Sequence, residues 1–134
     1  MMEKLCVFCG SSPNIDPKYH STAEKLAKLL VKNNIGLVYG GSNIGIMKVI
    51  ADCVLKEGGK VIGIMPQLLV DREIAHPDLT EIRIVDSMHD RKAQMAELSD
   101  EFIALPGGIG TLEELFEMMA WALLGIHKKP CGIL

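Results

Sequence analysis

Short apolar runs alternate with longer segments of helical periodicity along the whole chain. The runs are rich in Val, Ile, Leu and Cys, and we expect them to be strands, at residues 5–9, 35–39, 60–65, 81–85, 101–105 and 130–134. Helices are predicted between them, at residues 21–32, 46–57, 87–98 and 111–124. Apolar strands joined by helices form parallel sheets that are buried on both faces. The sequence therefore predicts an α/β protein, with a Rossmann-like, doubly wound parallel sheet and helices on both faces, in a single domain over residues 1–134.

Local signals predict where these elements begin and end. We expect the first helix to start at the capping box Ser21–Glu24 and to end at Asn33-Asn34. Residues 67–78 are predicted to be a loop with room for a short helix. The last strand breaks off at Leu134 without a following helix, so we expect a chain that is truncated there and lacks a covering C-terminal helix.

The composition and charge of the chain argue against some classes of binding partner. The chain has 134 residues, of which 49% are hydrophobic, and this argues against disorder. Its net charge is -3 with both signs mixed, so we expect no nucleic-acid partner and no anionic membrane surface. No stretch approaches the ~20 apolar residues of a membrane span, and the N-terminus lacks the apolar core of a signal peptide. We expect a soluble, cytoplasmic protein.

The four cysteines include a C-x-x-C pair, Cys6 and Cys9, a spacing found in redox and metal sites. Both lie in the first predicted strand, where residues three apart point to opposite faces. They are therefore poorly placed to share a metal or a disulfide, and we interpret them as buried free thiols. The histidines have no metal-ligand spacing either, so we predict no metal site.

Turns of small residues follow the first and second strands, at residues 10–12 and 40–42. In an open α/β sheet such turns lie at the edge where ligands bind, and glycine lets a phosphate approach the backbone. We predict contacts with phosphate or ribose; the alternative is tight-turn geometry alone. The residues concerned are Gly10, Ser11, Gly41 and Ser42. Neither turn fits G-x-G-x-x-G and the chain has no P-loop, which argues against a nicotinamide cofactor or a P-loop nucleotide.

A third glycine turn, residues 106–110, follows the fifth strand and precedes the helix predicted from Thr111. This layout directs backbone N–H groups and the positive end of a helix dipole at an anion. Glu114 lies in the first turn of that helix and has two interpretations. It completes a capping box that starts at Thr111, or it is a carboxylate that activates water or stabilises a developing positive charge.

Arg91 lies on the apolar stripe of the helix at 87–98, together with Met88, Met95 and Leu98. An arginine on an inward face needs an anion or a carboxylate. The functional interpretation is that Arg91 holds a phosphate or substrate, with Lys92 beside it. The alternative is a snorkelling arginine, whose guanidinium reaches the surface and pairs with a structural acid.

Two motifs together carry a family resemblance. Residues 88–92, MHDRK, are followed by residues 106–114, PGGIGTLEE. This pair resembles the LOG ("Lonely Guy") family, whose signature is a PGGxGTxxE loop preceded by an MHxRK-like helix. Residues 40–47 and 7–12 are similar to the second glycine loop and the first strand of the family. The resemblance covers the whole chain, and family members continue for a further strand and helix.

The resemblance implies a cytokinin riboside 5′-monophosphate phosphoribohydrolase, which cleaves a nucleoside 5′-monophosphate such as AMP into free base and ribose 5-phosphate. It implies no metal and no cofactor. Arg91 and Glu114 match its catalytic pair. Its nucleotide-binding positions match Glu73, Lys92, Gly108, Ile109, Gly110, Thr111, Leu112 and Glu113. A threonine usual in the family is Ala120 here. Molybdenum-cofactor carriers resemble this family, so a non-catalytic nucleotide or molybdenum-cofactor carrier is the alternative.

The helix at 111–124 is apolar almost all round. One face is expected to cover the sheet, and the other needs a partner too. We expect a homodimer packed through this helix, and the resemblance agrees. The alternative is burial under the absent C-terminal helix.

Overall fold

The protein forms a parallel sheet with strand order β4-β3-β2-β1-β5-β6. This is a computed structural model that describes residues 2–14 and 16–134, without the side chain of Glu73. In this part of the chain the strands are β1 (Lys4–Phe8), β2 (Gly36–Tyr39), β3 (Val61–Pro66), β4 (Glu81–Val85), β5 (Glu101–Ala104) and β6 (Cys131–Ile133). The predicted α/β class and the strand positions are confirmed.

Helices cover both faces of the sheet, as predicted. They are α1 (Pro17–Lys32), α2 (Gly45–Lys56), the single-turn α3 (Val70–Glu73), α4 (Met88–Leu98) and α5 (Ile109–Leu123). One core cluster joins α1 and α2 to one face, and a second joins α4 and α5 to the other. Cys9 lies in the first cluster and Cys6 in the second, and both are buried free thiols, as the strand geometry predicted.

The chain reverses direction across the sheet at β1. It moves from β1 to β4 on one side and then returns to place β5 on the other side of β1. Phe8 pairs with Ala104, so β1 and β5 end at the same level, and the N–H of Leu105 donates to the carbonyl of Phe8 at 2.9 Å. The loops after β1 and β5 therefore leave the sheet side by side, at the kind of edge where α/β proteins bind ligands.

The predicted starts of two helices are wrong. The first helix begins at Pro17, not at Ser21, because Asp16 caps it by accepting from the N–H of Lys18 at 3.0 Å. Proline suits the first position of a helix, since its ring presets φ and no N–H is lost there. The last long helix begins at Ile109, two residues before Thr111, after an extended Gly108.

Residues 67–78 contain a 3₁₀ turn at Gln67–Leu69 and then α3, within the loop predicted for them. None of the helices in residues 2–14 and 16–134 is long and apolar enough to cross a membrane.

Candidate functional site

A cavity of about 690 Å³ opens where β1 and β5 end. Its wall combines the loop after β1, the loop after β5, the first turns of α5, and Met88 and Arg91 from α4. The volume falls within the range of about 300–1,000 Å³ for small-molecule sites. The position is the switch point of the sheet, where the strand order reverses.

The loops around the cavity pack directly on one another. Gly45, with φ of +65°, lies so close to the first loop that a Cβ would come within 2.7 Å of the Ser12 carbonyl oxygen. The N–H of Met47 donates to the carbonyl of Gly10 at 3.2 Å. A Cβ on Gly107 would clash with the hydroxyl of Thr111. These close approaches need small residues, and they make the three loops one rigid rim.

Arg91 is 3% exposed and reaches under the rim from α4. Its Nε donates to the carbonyl of Ile64 at 2.9 Å and its Nη2 to the carbonyl of Gly40 at 2.6 Å. Ile64 lies within β3 and Gly40 directly follows β2, so the backbone of two neighbouring strands orients the guanidinium. The predicted inward orientation of Arg91 is confirmed. A Cβ on Gly40 would clash with the guanidinium, so a larger residue there would have to displace Arg91 from this position.

Glu114 lines the same cavity from α5 and is only 7% exposed. The capping box predicted for Thr111–Glu114 is wrong, because Gly108 is the N-cap and Glu114 is the sixth residue of the helix. Burial, and then the charge of Glu114, raise the pKa of the Cys9 thiol, which Arg91 opposes. Cys9 is therefore a neutral thiol at the cavity wall.

Lys92 points away from the cavity, although it neighbours Arg91. It is buried and pairs with Glu113 and Glu117 of α5. Burial lowers the pKa of Lys92, but these two hydrogen bonds outweigh it, and the pKa is raised overall. Lys92 therefore joins α4 to α5 and so links the helix of Arg91 to the helix of Glu114.

The other predicted residues divide into two groups. Those that line the cavity are Gly10, Ser11, Gly108, Ile109, Gly110, Thr111 and Glu113. Among the described residues that were predicted, those that do not line it are Leu112, Gly41, Ser42 and Lys92. Leu112 is exposed, whereas Gly41 and Ser42 are buried behind the rim. The side chain of Glu73 lies outside the described residues, and Ala120 is exposed on α5.

Several wall residues were missed by the sequence analysis. They are Cys9, Ser12, Asn14, Asp16, Tyr19, Met47, Met88, Pro106 and Gly107. Met88 begins the MHDRK motif and Met47 ends the second glycine stretch, so both carried a signal. Asp16 and Tyr19 were missed because the sequence analysis placed the start of α1 too late, at Ser21. Gly40 was named within its turn, but its contact with Arg91 depends on two elements far apart in sequence.

Comparison with known proteins identifies the family. A family model described as "Possible lysine decarboxylase" matches residues 47–134. Curated LOG proteins match nearly the whole chain: the cytokinin riboside 5′-monophosphate phosphoribohydrolase LOG1 of Arabidopsis thaliana is 52% identical over 132 residues. The chain belongs to the LOG family.

The relatives are longer than this chain. The match to LOG1 covers 98% of this chain and 62% of the relative. The cytokinin riboside 5′-monophosphate phosphoribohydrolase LOG of Oryza sativa subsp. japonica is 50% identical, over 98% of this chain and 54% of its own. The chain therefore spans about half to three-fifths of the length of these LOG family members.

Solved structures share the fold. The molybdenum-cofactor carrier protein of Chlamydomonas reinhardtii superposes with a TM-score of 0.77 at 22% identity, over 100% of this chain and 76% of that chain. The structural-genomics target TM1055 superposes with a TM-score of 0.76 at 26% identity, over 97% and 72%. At 22% identity, the likeness to the carrier extends to the fold alone.

Proposed function

We propose that this LOG family member hydrolyses the N-glycosidic bond of nucleoside 5′-monophosphates, cytokinin riboside 5′-monophosphate or AMP, to free base and ribose 5-phosphate. One observation carries the proposal: Arg91 from α4 and Glu114 from α5 line one cavity beneath a glycine loop. About half of the residues are identical to those of curated phosphoribohydrolases over 98% of the chain. The presence of both Arg91 and Glu114 in one cavity favours hydrolysis over simple carriage of a nucleotide.

The chemistry requires stabilisation of a positive charge on the sugar. Cleavage of an N-glycosidic bond passes through an oxocarbenium-like state, and a nearby carboxylate stabilises it. Glu114 is the group proposed for this role, and it also orients the water whose oxygen bonds to C1′. The bond from C1′ to the base nitrogen breaks and its electron pair leaves with the base. The attacking water loses one proton, and the departing base takes one up. The walls restrict water around Glu114, which strengthens its electrostatic effect.

The 5′-phosphate is proposed to bind at the start of α5. A Cβ added at Gly108 or Gly110 would meet no heavy atom within 4 Å, so the backbone there is open to a ligand. The first N–H groups of a helix and its dipole favour an anion at this point. Arg91, held in plane by two carbonyls, is proposed to orient the nucleotide. No step needs a metal or a cofactor.

Incubation of the purified protein with AMP and with N6-isopentenyl-AMP tests the proposal. We expect adenine or N6-isopentenyladenine to appear with an equal amount of ribose 5-phosphate, measured by chromatography. Stoichiometric binding without release of a base would instead support the alternative, a nucleotide or molybdenum-cofactor carrier. Neither binding nor release would reject both.

We also propose that the protein is a homodimer that packs through α5. A stripe along this helix is apolar and exposed, with Phe116 60% and Leu123 88% accessible. Leu112 precedes Phe116, and Met119 and Leu123 follow it, at helical spacing on the same side. Sedimentation at micromolar concentration is expected to show a dimer, and Phe116→Glu a monomer. A wild-type protein that sediments only as a monomer would reject the dimer and leave a covering segment as the explanation.

A further inference from the structure

A second, smaller ladder lies outside the parallel sheet, behind the rim of the cavity. Ser42 and Ala75 form an antiparallel bridge. The N–H of Asn43 donates to the carbonyl of Ile74 at 2.8 Å, and the N–H of His76 donates to the carbonyl of Gly41 at 2.9 Å. The backbone of the second glycine loop is therefore held by the segment that follows α3.

The imidazole of His76 ties this segment to α2. Its side chain is 3% exposed, and Nε2 lies 2.6 Å from Oδ1 of Asp52. The N–H of Asp78 donates to Nδ1 at 3.1 Å, so Nδ1 is an acceptor and Nε2 carries the proton that goes to Asp52. Asp52 also pairs with Lys48 one turn earlier on α2. Hydrogen bonds at both ring nitrogens thus fix the position of His76 and of the ladder to which it belongs.

Backbone strain indicates that the ladder needs such support. Ile74 has φ of +50°, in the left-handed region that a β-branched residue rarely adopts. Strained residues persist only where their surroundings hold them, and they cluster at functional sites. Here the restraint comes from the hydrogen bond that Asn43 donates to the carbonyl of Ile74 and from the one that the N–H of His76, two residues later, donates to Gly41.

The ladder lies next to the peptide group that accepts a hydrogen bond from Arg91. Gly40 accepts from Nη2 of Arg91 at 2.6 Å, and the next carbonyl, of Gly41, accepts from His76. A shift of the Gly40–Gly41 peptide therefore moves a carbonyl that accepts a hydrogen bond from the guanidinium. The path from α2 to the site runs through Asp52, His76, Gly41, Gly40 and Arg91.

We propose that His76, held by Asp52, is a positioning residue for Arg91; its kinetic consequence rests on the proposed hydrolysis. His76 does not line the cavity, and it acts through the backbone of the second glycine loop. Its contribution is the orientation of the guanidinium, because small displacements of a catalytic group cost large factors in rate.

His127 offers a matched control. Its Nδ1 accepts from the N–H of Lys129 at 2.9 Å, and its Nε2 lies 2.9 Å from the carbonyl of Met118. It therefore has the same pattern of contacts as His76, but between α5 and β6. His127→Ala also removes one hydrogen bond at each ring nitrogen, with a carbonyl in place of the carboxylate at Nε2, and does not touch the path to Arg91.

The first test observes Arg91 directly and needs no activity. The chain has three arginines, so the Nε–H signal of Arg91 can be assigned in a nitrogen-edited NMR spectrum by its loss in Arg91→Lys. We expect His76→Ala to shift this signal and to speed its exchange with solvent at least ~10-fold, and His127→Ala to leave it unchanged. A folded His76→Ala protein with an unchanged Arg91 signal would overturn the proposal.

If His76→Ala does not fold, Asp52→Ala decides, since the Asp52 side chain is 43% exposed and its loss leaves the ladder backbone intact. The same shift, smaller in size, supports the proposal, and an unchanged signal overturns it. Kinetics give the second test: kcat for AMP is expected to fall about 10- to 100-fold in His76→Ala. His76→Gln, whose amide can donate to Asp52, is expected to restore part of it.

The two tests separate the two proposals. If the wild-type protein releases no base, the proposed hydrolysis fails, while the Arg91 signal still decides whether His76 positions the guanidinium. If hydrolysis is present and His76→Ala lowers kcat no more than His127→Ala does, the positioning role is rejected and the hydrolysis stands.

Discussion

Two glycine-rich loops at the same edge of the sheet use glycine for opposite reasons. In the loop at 40–45, glycines make room for the protein itself: Gly40 faces the guanidinium of Arg91, and Gly41 has φ of +87°. In the loop at 106–110, Gly107 packs against Thr111, but a Cβ added at Gly108 or Gly110 would meet nothing within 4 Å. The first loop is filled by protein atoms, and the second presents open backbone to the cavity.

The difference separates two roles that look alike in sequence. A glycine that faces a buried side chain is needed for folding and for the placement of that side chain. A glycine that faces open space at a cavity, with no positive φ to require it, is not needed for packing or for a turn, so its value is access for a ligand. Substitution by alanine at each position distinguishes the two, because alanine adds only the Cβ.

Gly40→Ala is expected to have the largest effect. The added Cβ collides with the guanidinium of Arg91, and such overpacking costs about 1–3 kcal/mol in free energy of unfolding. Activity on AMP is expected to fall by at least ~100-fold, since Arg91 is displaced. Denaturant unfolding and steady-state kinetics measure the two effects. Gly36→Ala is the control, because its Cβ makes only ordinary contacts, from 3.6 Å; an equal loss there would reject the steric explanation.

Gly41→Ala is expected to have an intermediate effect. Its Cβ has ordinary contacts from 3.5 Å, but its φ of +87° strains any other residue by about 1–2 kcal/mol. Gly58 has φ of +86° and open space around it, so Gly58→Ala carries the same strain at the end of α2. We expect similar losses of stability in urea, and reduced kcat only in Gly41→Ala. Normal kcat in both would mean that the second loop does not position the site.

Gly108→Ala is expected to have the smallest effect on stability, within ~0.5 kcal/mol, because φ of -90° suits alanine and no atom obstructs the Cβ. Its effect is expected in binding. Alanine keeps the backbone N–H, but its methyl group occupies the open space through which a phosphate would approach. Loss of one hydrogen bond to a charged phosphate in this way raises the dissociation constant of ribose 5-phosphate roughly tenfold. Isothermal titration calorimetry measures it. Unchanged affinity in Gly108→Ala and also in Gly110→Ala would show that the phosphate does not bind at this loop.

The fold could be predicted from the sequence because its signals are local and repeated. Apolar runs of strand length between helical segments leave few alternatives to a doubly wound sheet. The start of α5 could not be predicted as well, since Thr111–Glu114 has the letters of a capping box while the extended Gly108 starts the helix earlier. Asp16 likewise caps α1 before the box at Ser21.

The site could be predicted only in part, for a different reason. Arg91 follows from its place on an apolar stripe, which is a property of one helix. Lys92 was expected to bind substrate, but it pairs with two acids of α5 that lie 21 and 25 residues away in sequence. Gly41 and Ser42 were expected at the cavity, and they lie behind it because the segment after α3 covers them. Such contacts depend on how distant elements meet.

Glu114→Gln tests the central claim most directly, namely that the Glu114 carboxylate acts on the substrate and does not serve to cap the helix. The change keeps the shape of the side chain and removes its charge. Base release from AMP, followed by chromatography, is expected to fall by at least ~100-fold, while the free energy of unfolding changes by less than ~1 kcal/mol. A Glu114→Gln protein that releases base at the wild-type rate would contradict the account.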